Sequence, residues 1–322
     1  MKKALIIGID NYGGNSNLSG CVNDAIEVAK VLRTHKNEDP NYAVSLVKDI
    51  QSKDLLHEQI NDLFSGNCDA ALLYFSGHGH VDKSGLASLV TPDMSSGSMG
   101  ISMDNILLWA NQSSIKNKVI ILDCCFAGNM GSFSGDGTTT RLNDGVTILT
   151  ASKADEVSME VNGHGIFTSL LISALEGGAS DLLGNVTPGS VYSYIDKALG
   201  PWQQRPVFKS NVSTFDIIRK VSPLIDVKLL RELPEIFENG NDFKLDPSFE
   251  DTNTKELKHQ IIKPYANEEN VKLFKKLQKL TSNGLVRPVG EEHMYYAALN
   301  NKKCELTPLG KYYLQLAKEK KF

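Results

Sequence analysis

The chain has 322 residues, 41% of them apolar and 22% charged, with a formal net charge of −4. That length supports one large core with a smaller domain, or two domains outright, and the composition excludes wholesale disorder. No apolar stretch approaches the length of a membrane span. The opening MKKALIIGI runs at once into Asp10 and a Gly/Asn/Ser loop, so it reads as a first strand and not a signal peptide, with a cytoplasmic location as the expectation.

The five cysteines, Cys21, Cys68, Cys124, Cys125 and Cys304, are odd in number and scattered, which is not the pattern of a disulfide framework. Residues 1–254 carry 20 Lys/Arg against 31 Asp/Glu, whereas residues 255–322 carry 14 against 7. An acidic body joined to a basic tail fits two domains, with a negatively charged or acidic partner for the tail.

In chain order, residues 3–9 form a first strand and residues 11–20 a turn-rich loop. A helix over 22–34 carries the stripe Val22, Ala25, Ile26, Ala29 and Leu32, with Asp24 near its start. A second strand at 43–47 precedes a helix capped by Ser52, whose apolar face is Leu55, Leu56, Ile60, Leu63 and Phe64. A third strand spans 70–76, and the β-α-β-α-β order indicates a mostly parallel sheet.

Residues 79–103 read as a functional loop with a small hairpin, and a short helix around 104–111 leads into a fourth strand at 118–122. The Gly/Ser/Thr-rich stretch that follows holds a solitary basic residue, Arg141, an exposed setting suited to proteolysis. A fifth strand is VTILTA at 146–151. GHGIFTSLLISALEGG and the segment opened by Pro188 are helices, and a sixth strand near 206–209 is an edge because of its prolines.

Residues 1–219 therefore form one domain and residues 220–253 a connector with one short helix. Residues 254–322 carry helices at 254–262 and 268–281, a two-stranded element from HMYYAAL and CEL, and a closing helix from Pro308. That order is the outline of a winged-helix domain.

Two stretches carry the chemistry. KVIILDCCFAG and ALLYFSGHGH each deliver polar residues at the C-terminal end of a buried strand, the sheet edge where α/β proteins place their sites. A thiol becomes a nucleophile when a nearby imidazole or helix N-terminus favours the thiolate, so Cys125 and His78 are the candidate pair. Cys124 and Cys125 point opposite ways in strand geometry, so one of them faces the cleft. Adjacent cysteines are a poor chelate spacing, which argues against zinc, and no phosphate-binding glycine motif follows the first strand.

SGHG, followed 47 positions after its His by the Cys of DCCFAG, resembles the caspase-like (clan CD) cysteine peptidases, closest to metacaspases and bacterial caspase-like proteins. KALIIGIDNY…LSGCVNDA and ILTAS…GHGIFTSLL resemble other parts of their catalytic domain, so the likeness covers about residues 1–217. It implies an α/β/α sandwich with a mostly parallel six-stranded sheet. It also implies Cys125 as nucleophile and His78 as its acid–base partner, with the N–H groups of Gly79 and Cys125 as the oxyanion hole. Asp24 and Asp123 match the acidic residues that select Arg or Lys at P1, and Asp93 lies in a region near the family's cleft.

Phe126 and Ala127 depart from the His-Ser often found after the nucleophile. Arg141 would be a self-processing site for such an enzyme. The dyad chemistry needs no cofactor, calcium dependence occurs in part of the family, and no acidic cluster in this chain decides it. The implied function is a cysteine endopeptidase acting on proteins with Arg or Lys at P1, recruited through its C-terminal domain in a bacterial defence or cell-death module. The alternative is a caspase-fold regulatory protein with little catalysis. Arg287, Lys302 and Lys303 suit an acidic protein surface or, with less support, nucleic-acid phosphates.

Overall fold

Successive residues of a strand face opposite sides of a sheet, and that alternation decides where each apolar run of this chain goes. In the computed structural model, residues 1–83, 85–94, 100–125, 141–151, 160–161, 164–200, 205–255 and 262–322 are described. They form two compact units, Met1–Ser222 and Pro223–Phe322.

The first unit runs β1 (Lys2–Gly8), α1 (Cys21–Arg33), β2 (Tyr42–Lys48), α2 (Lys53–Phe64), β3 (Ala70–Ser76), β4 (Gly79–Val81), β5 (Ala87–Leu89), β6 (Ile101–Ser102), α3 (Met103–Gln112) and β7 (Asn117–Asp123). It continues with β8 (Val146–Thr150), β9 (Glu160–Val161), β10 (His164–Gly165), α4 (Ile166–Ser173), β11 (Asn185–Val186), α5 (Pro188–Leu199), β12 (Val207–Asn211) and β13 (Arg219–Lys220). The main sheet has six strands in the order β12-β8-β7-β3-β1-β2. β12 is an edge strand that begins just after Pro206 and contains no proline itself, and it pairs antiparallel with β8; the other pairings are parallel. The hairpin expected within 79–103 is a small sheet of β4, β5 and β6.

Leu5, Ile7, Leu73, Phe75, Ile120 and Leu122 face α2 and α3, packing on Leu56, Ile60, Ile106 and Leu107. Ala4, Ile6, Leu72, Tyr74, Val119 and Ile121 face the other way, onto Val28 of α1, Leu171 of α4 and Val191 and Ile195 of α5. Burying each large aliphatic or aromatic side chain stabilises this arrangement by about 1.5–3 kcal/mol. Two helix-stripe assignments shift: Ile26 and Leu55 are exposed, because each lies at the margin of its helix's apolar face. The ALEGG stop forms a single π-helical turn, Ala174–Gly178, with Gly177 at φ +135°.

The second unit contains α6 (Val227–Arg231), α7 (Leu233–Ile236), β14 (Asp242–Lys244), α8 (Glu268–Ser282), β15 (Val286–Val289), α9 (Met294–Leu299), β16 (Lys303–Leu306) and α10 (Pro308–Lys318). Its antiparallel sheet has the order β14-β16-β15. The stretch read as a connector thus supplies two helices and a strand of this unit. HMYYAAL is not a strand. It forms helix α9, burying Met294, Ala297 and Ala298 at helical spacing. The helix read over 254–262 falls largely outside the described residues. Among the described residues no helix is long and apolar enough to cross a membrane.

Candidate active site

β1, β3 and β7 run parallel, and Gly8 pairs with Ser76, which pairs with Asp123. Three strands therefore end level with one another, and whatever follows each of them shares one edge. His78 lies two residues beyond Ser76 and Cys125 two beyond Asp123, so both follow strand ends at the same edge of the sheet.

The loop after β1 is built first, by carboxylates. Asp10 accepts the N–H groups of Cys21 and Val22 at 2.9 and 3.2 Å and so caps α1 in place of the side chain that Gly20 lacks. Asp49 accepts the N–H groups of Asp10 and Asn11 at 2.8 and 3.0 Å. Gly8 permits this packing, since a Cβ there would overlap the Cys21 carbonyl.

That loop in turn holds His78. Tyr12 accepts the His78 N–H through its hydroxyl at 2.9 Å, and the two rings lie 4.6 Å apart. The His78 Nε2 is 2.8 Å from the carbonyl oxygen of Ser16. A carbonyl only accepts, so Nε2 carries a proton, and the tautomer this contact selects is the one in which Nδ1 is the acceptor. Sequence reading did not find Tyr12 or Ser16, because one contributes a hydroxyl from a loop and the other only backbone.

Gly79 sits where any side chain would fail. A Cβ there would overlap the Cys125 carbonyl oxygen and stand 3.3 Å from the Cys124 sulfur. Val90 donates to the His78 carbonyl at 3.0 Å, which makes Gly79 and Leu89 a non-hydrogen-bonded pair of the β4–β5 ladder. The Gly79 N–H is thus not spent on β5.

The two cysteines have unlike environments. Cys124 is 1% exposed and packs with Leu122 and Phe75 on the α2/α3 side, where burial pushes its thiol well above the ordinary range. Cys125 is half-buried in the turn that follows β7. Cys21, the first residue of α1, is also buried and its thiol is pushed up to about 12, chiefly by desolvation.

Asp123 faces the α1/α4 side, opposite Cys124. It is 6% exposed, and its Oδ2 accepts the Thr168 hydroxyl at 2.7 Å. Asp24 is 2% exposed, and its Oδ2 accepts the Gly165 N–H at 3.1 Å. A Cβ on Gly165 would lie 2.7 Å from the Asp123 Oδ2 and 3.4 Å from the Asp24 Oδ2, so one glycine separates two buried carboxylates. Gly165 and Thr168 belong to GHGIFT, which the sequence marks as a motif without giving either residue a task.

Two other candidates have hydrogen-bond partners of their own. The exposed Asp93 carboxylate accepts the Lys53 N–H at 3.1 and 3.0 Å, capping α2. Arg141 is exposed shortly before β8, and its carbonyl accepts from Asn111 at the end of α3. Because β7 and β8 are parallel, Arg141 sits at the opposite edge of the sheet from Cys125. Phe126 and Ala127 lie outside the described residues.

Among the described residues no group of three or more His, Cys, Asp or Glu side chains could hold a metal ion. In the second unit, Arg287 donates twice to Glu305, at 2.8 and 2.6 Å, and Lys303 pairs with Asp242 at 2.6 Å. Two of the three basic residues considered for phosphate contact are therefore engaged by carboxylates of their own sheet.

A mostly parallel sheet between two helical layers, with a histidine and a cysteine just beyond adjacent strand ends, defines a caspase-like α/β/α protein. The Peptidase_C14 family model, caspase domain, matches residues 1–216, and the chain belongs to that family. Among solved structures, the protein GSU0716 from Geobacter sulfurreducens is similar at 16% identity and a TM-score of 0.50, covering 69% of this chain and 97% of its own. Caspase-1 from Spodoptera frugiperda is similar at 14% identity and a TM-score of 0.50, covering 68% of this chain and 90% of its own. These likenesses concern the fold. No curated protein matches the chain significantly.

Proposed function

We propose that the chain is a cysteine endopeptidase that cleaves proteins after Arg or Lys. The observation that carries this reading is the pair of buried carboxylates, Asp24 and Asp123, held at Gly165 just behind the turn that bears Cys125. Carboxylates in a shielded place select a guanidinium or ammonium group.

In this mechanism the Cys125 thiol gives its proton to Nδ1 of His78, whose ring the Ser16 carbonyl holds in the required tautomer. The thiolate attacks the carbonyl carbon that follows the basic P1 residue. The N–H groups of Gly79 and Cys125 take the developing oxyanion. The imidazolium returns its proton to the departing amine, leaving a thioester. A water then gives a proton to His78 and its hydroxide to the thioester, which releases the acid and restores the thiol.

The second unit serves in this reading as a winged-helix-like module that recruits or senses a regulatory protein, placing the peptidase in a defence or cell-death response. Its three-stranded antiparallel sheet among short helices supports that likeness. The carboxylate pairing of Arg287 and Lys303 favours a protein ligand over nucleic acid.

The test is incubation of the full chain with peptide libraries bearing Arg, Lys or Asp at P1, with and without calcium. Cleavage after Arg or Lys supports the reading, and cleavage confined to Asp contradicts it.

A further inference from the structure

Asp123 and Tyr74 occupy adjacent strands and face the same side of the sheet, toward α4. Thr168, in the first turn of α4, stands between them: its Oγ1 is 2.7 Å from the Asp123 Oδ2 and 2.6 Å from the Tyr74 hydroxyl. A hydroxyl has one proton to give. The carboxylate can only accept, so the proton of Thr168 goes to Asp123 and the proton of Tyr74 goes to Thr168. Donation runs one way, from Tyr74 through Thr168 to Asp123.

Tyr74 and Thr168 are fully buried, and a buried hydroxyl destabilises the fold unless its hydrogen bonds are made. Valine and phenylalanine would fill the same space without that demand, so packing alone does not account for the pair. Burial also pushes the Tyr74 phenol well above its ordinary range, which keeps its proton in place. The N–H that holds Asp24 comes from Gly165, three residues before Thr168, so the start of one helix orients both carboxylates.

We propose that Thr168, with Tyr74 behind it, is a positioning residue for substrate selection. By fixing Oδ2 it sets the plane of the Asp123 carboxylate and hence the direction from which a P1 guanidinium or ammonium is met. The inference rests on the basic-P1 reading given above and assigns the residues that make that site selective.

The experiment measures KM and kcat of the full-length protein on peptides with Arg, Lys or norleucine at P1, with iodoacetamide alkylation of Cys125 as an independent readout. Thr168→Val is expected to raise KM for the Arg peptide by about 10- to 100-fold, the loss of one hydrogen bond to a charged group. Cys125 alkylation should stay close to wild type, while the melting temperature falls by a few degrees because the buried Tyr74 hydroxyl loses its partner. Thr168→Ser restores the hydroxyl and is expected to stay within about 3-fold of wild type, and Tyr74→Phe to fall between the two.

A folded Thr168→Val with unchanged KM and an unchanged Arg-to-norleucine ratio overturns the inference. So does a Thr168→Val that loses kcat for all three peptides alike. If that variant does not fold, Tyr74→Phe decides: a selective rise in KM supports the relay and an unchanged KM overturns it. A wild-type enzyme with no preference for Arg or Lys over norleucine contradicts the basic-P1 reading and removes this inference with it. A selective wild type with an indifferent Thr168→Val contradicts the inference alone.

Discussion

Nε2 of His78 donates to the carbonyl oxygen of Ser16 over 2.8 Å, while the His78 backbone N–H donates to Tyr12 at 2.9 Å. The imidazole is thus held from a loop that belongs to another strand, and its tautomer is set by a backbone group that no substitution removes. Tyr12→Phe deletes the second contact and keeps the tilted ring–ring contact. Its kcat is expected to fall about 10-fold with little change in KM, the cost of one buried hydrogen bond and a less constrained base. Steady-state kinetics on an arginyl peptide measure this, and an unchanged kcat would show that Tyr12 only packs.

The carboxylates can be neutralised without changing shape. Asp123→Asn and Asp24→Asn still accept from Thr168 and Gly165, so both variants should fold. Each is expected to lose about 10²-fold in kcat/KM on Arg and Lys peptides, since an interfacial charge is left without its partner. The comparison to make is the ratio to a norleucine peptide, which should move toward unity.

Much of this site was legible in the sequence, for definite reasons. SGHG and DCC follow uninterrupted apolar runs, and a buried strand that ends abruptly in polar residues advertises the sheet edge where they sit. The strand period placed Cys124 and Cys125 on opposite sides. Asp93 caps α2 through the Lys53 N–H, a task that its loop sequence does not announce. Thr168 and Tyr74 could not be paired by reading, since their contact depends on α4 crossing the end of β3, 94 residues away in the chain. In the second unit, Met294–Leu299 looked like a strand because a short apolar run with two tyrosines fits either period.

Gly79 allows no side chain. Gly79→Ala would push a methyl group into the Cys125 carbonyl, displacing the backbone that carries both proposed oxyanion donors. The expected loss in kcat is at least about 10²-fold. Thermal melting run alongside separates that loss from unfolding. A folded Gly79→Ala with wild-type kcat would refute the oxyanion assignment.

Cys21 gives a pH signature. Its thiol is neutral in the fold up to about pH 12, against an ordinary value of 9.0, so above pH 9 the unfolded chain sheds a proton that the native one keeps. Its contribution is therefore complete below pH 9 and declines as the pH rises toward 12, by up to about 1.4 kcal/mol per pH unit. Denaturant titrations at pH 8, 9.5 and 10.5 should show a shallower alkaline decline for Cys21→Ala than for wild type. Equal slopes would mean that this thiol is not shielded.

The most direct test compares Cys125→Ala and Cys124→Ala on one arginyl peptide in full-length protein. Cys125 is half-buried beside His78's strand, and Cys124 is packed into the core. Cys125→Ala is expected to abolish cleavage while leaving the fold intact. Cys124→Ala is expected to retain it, with a modest loss of stability from the missing sulfur. Equal activity in the two variants, or loss confined to Cys124→Ala, would contradict the account.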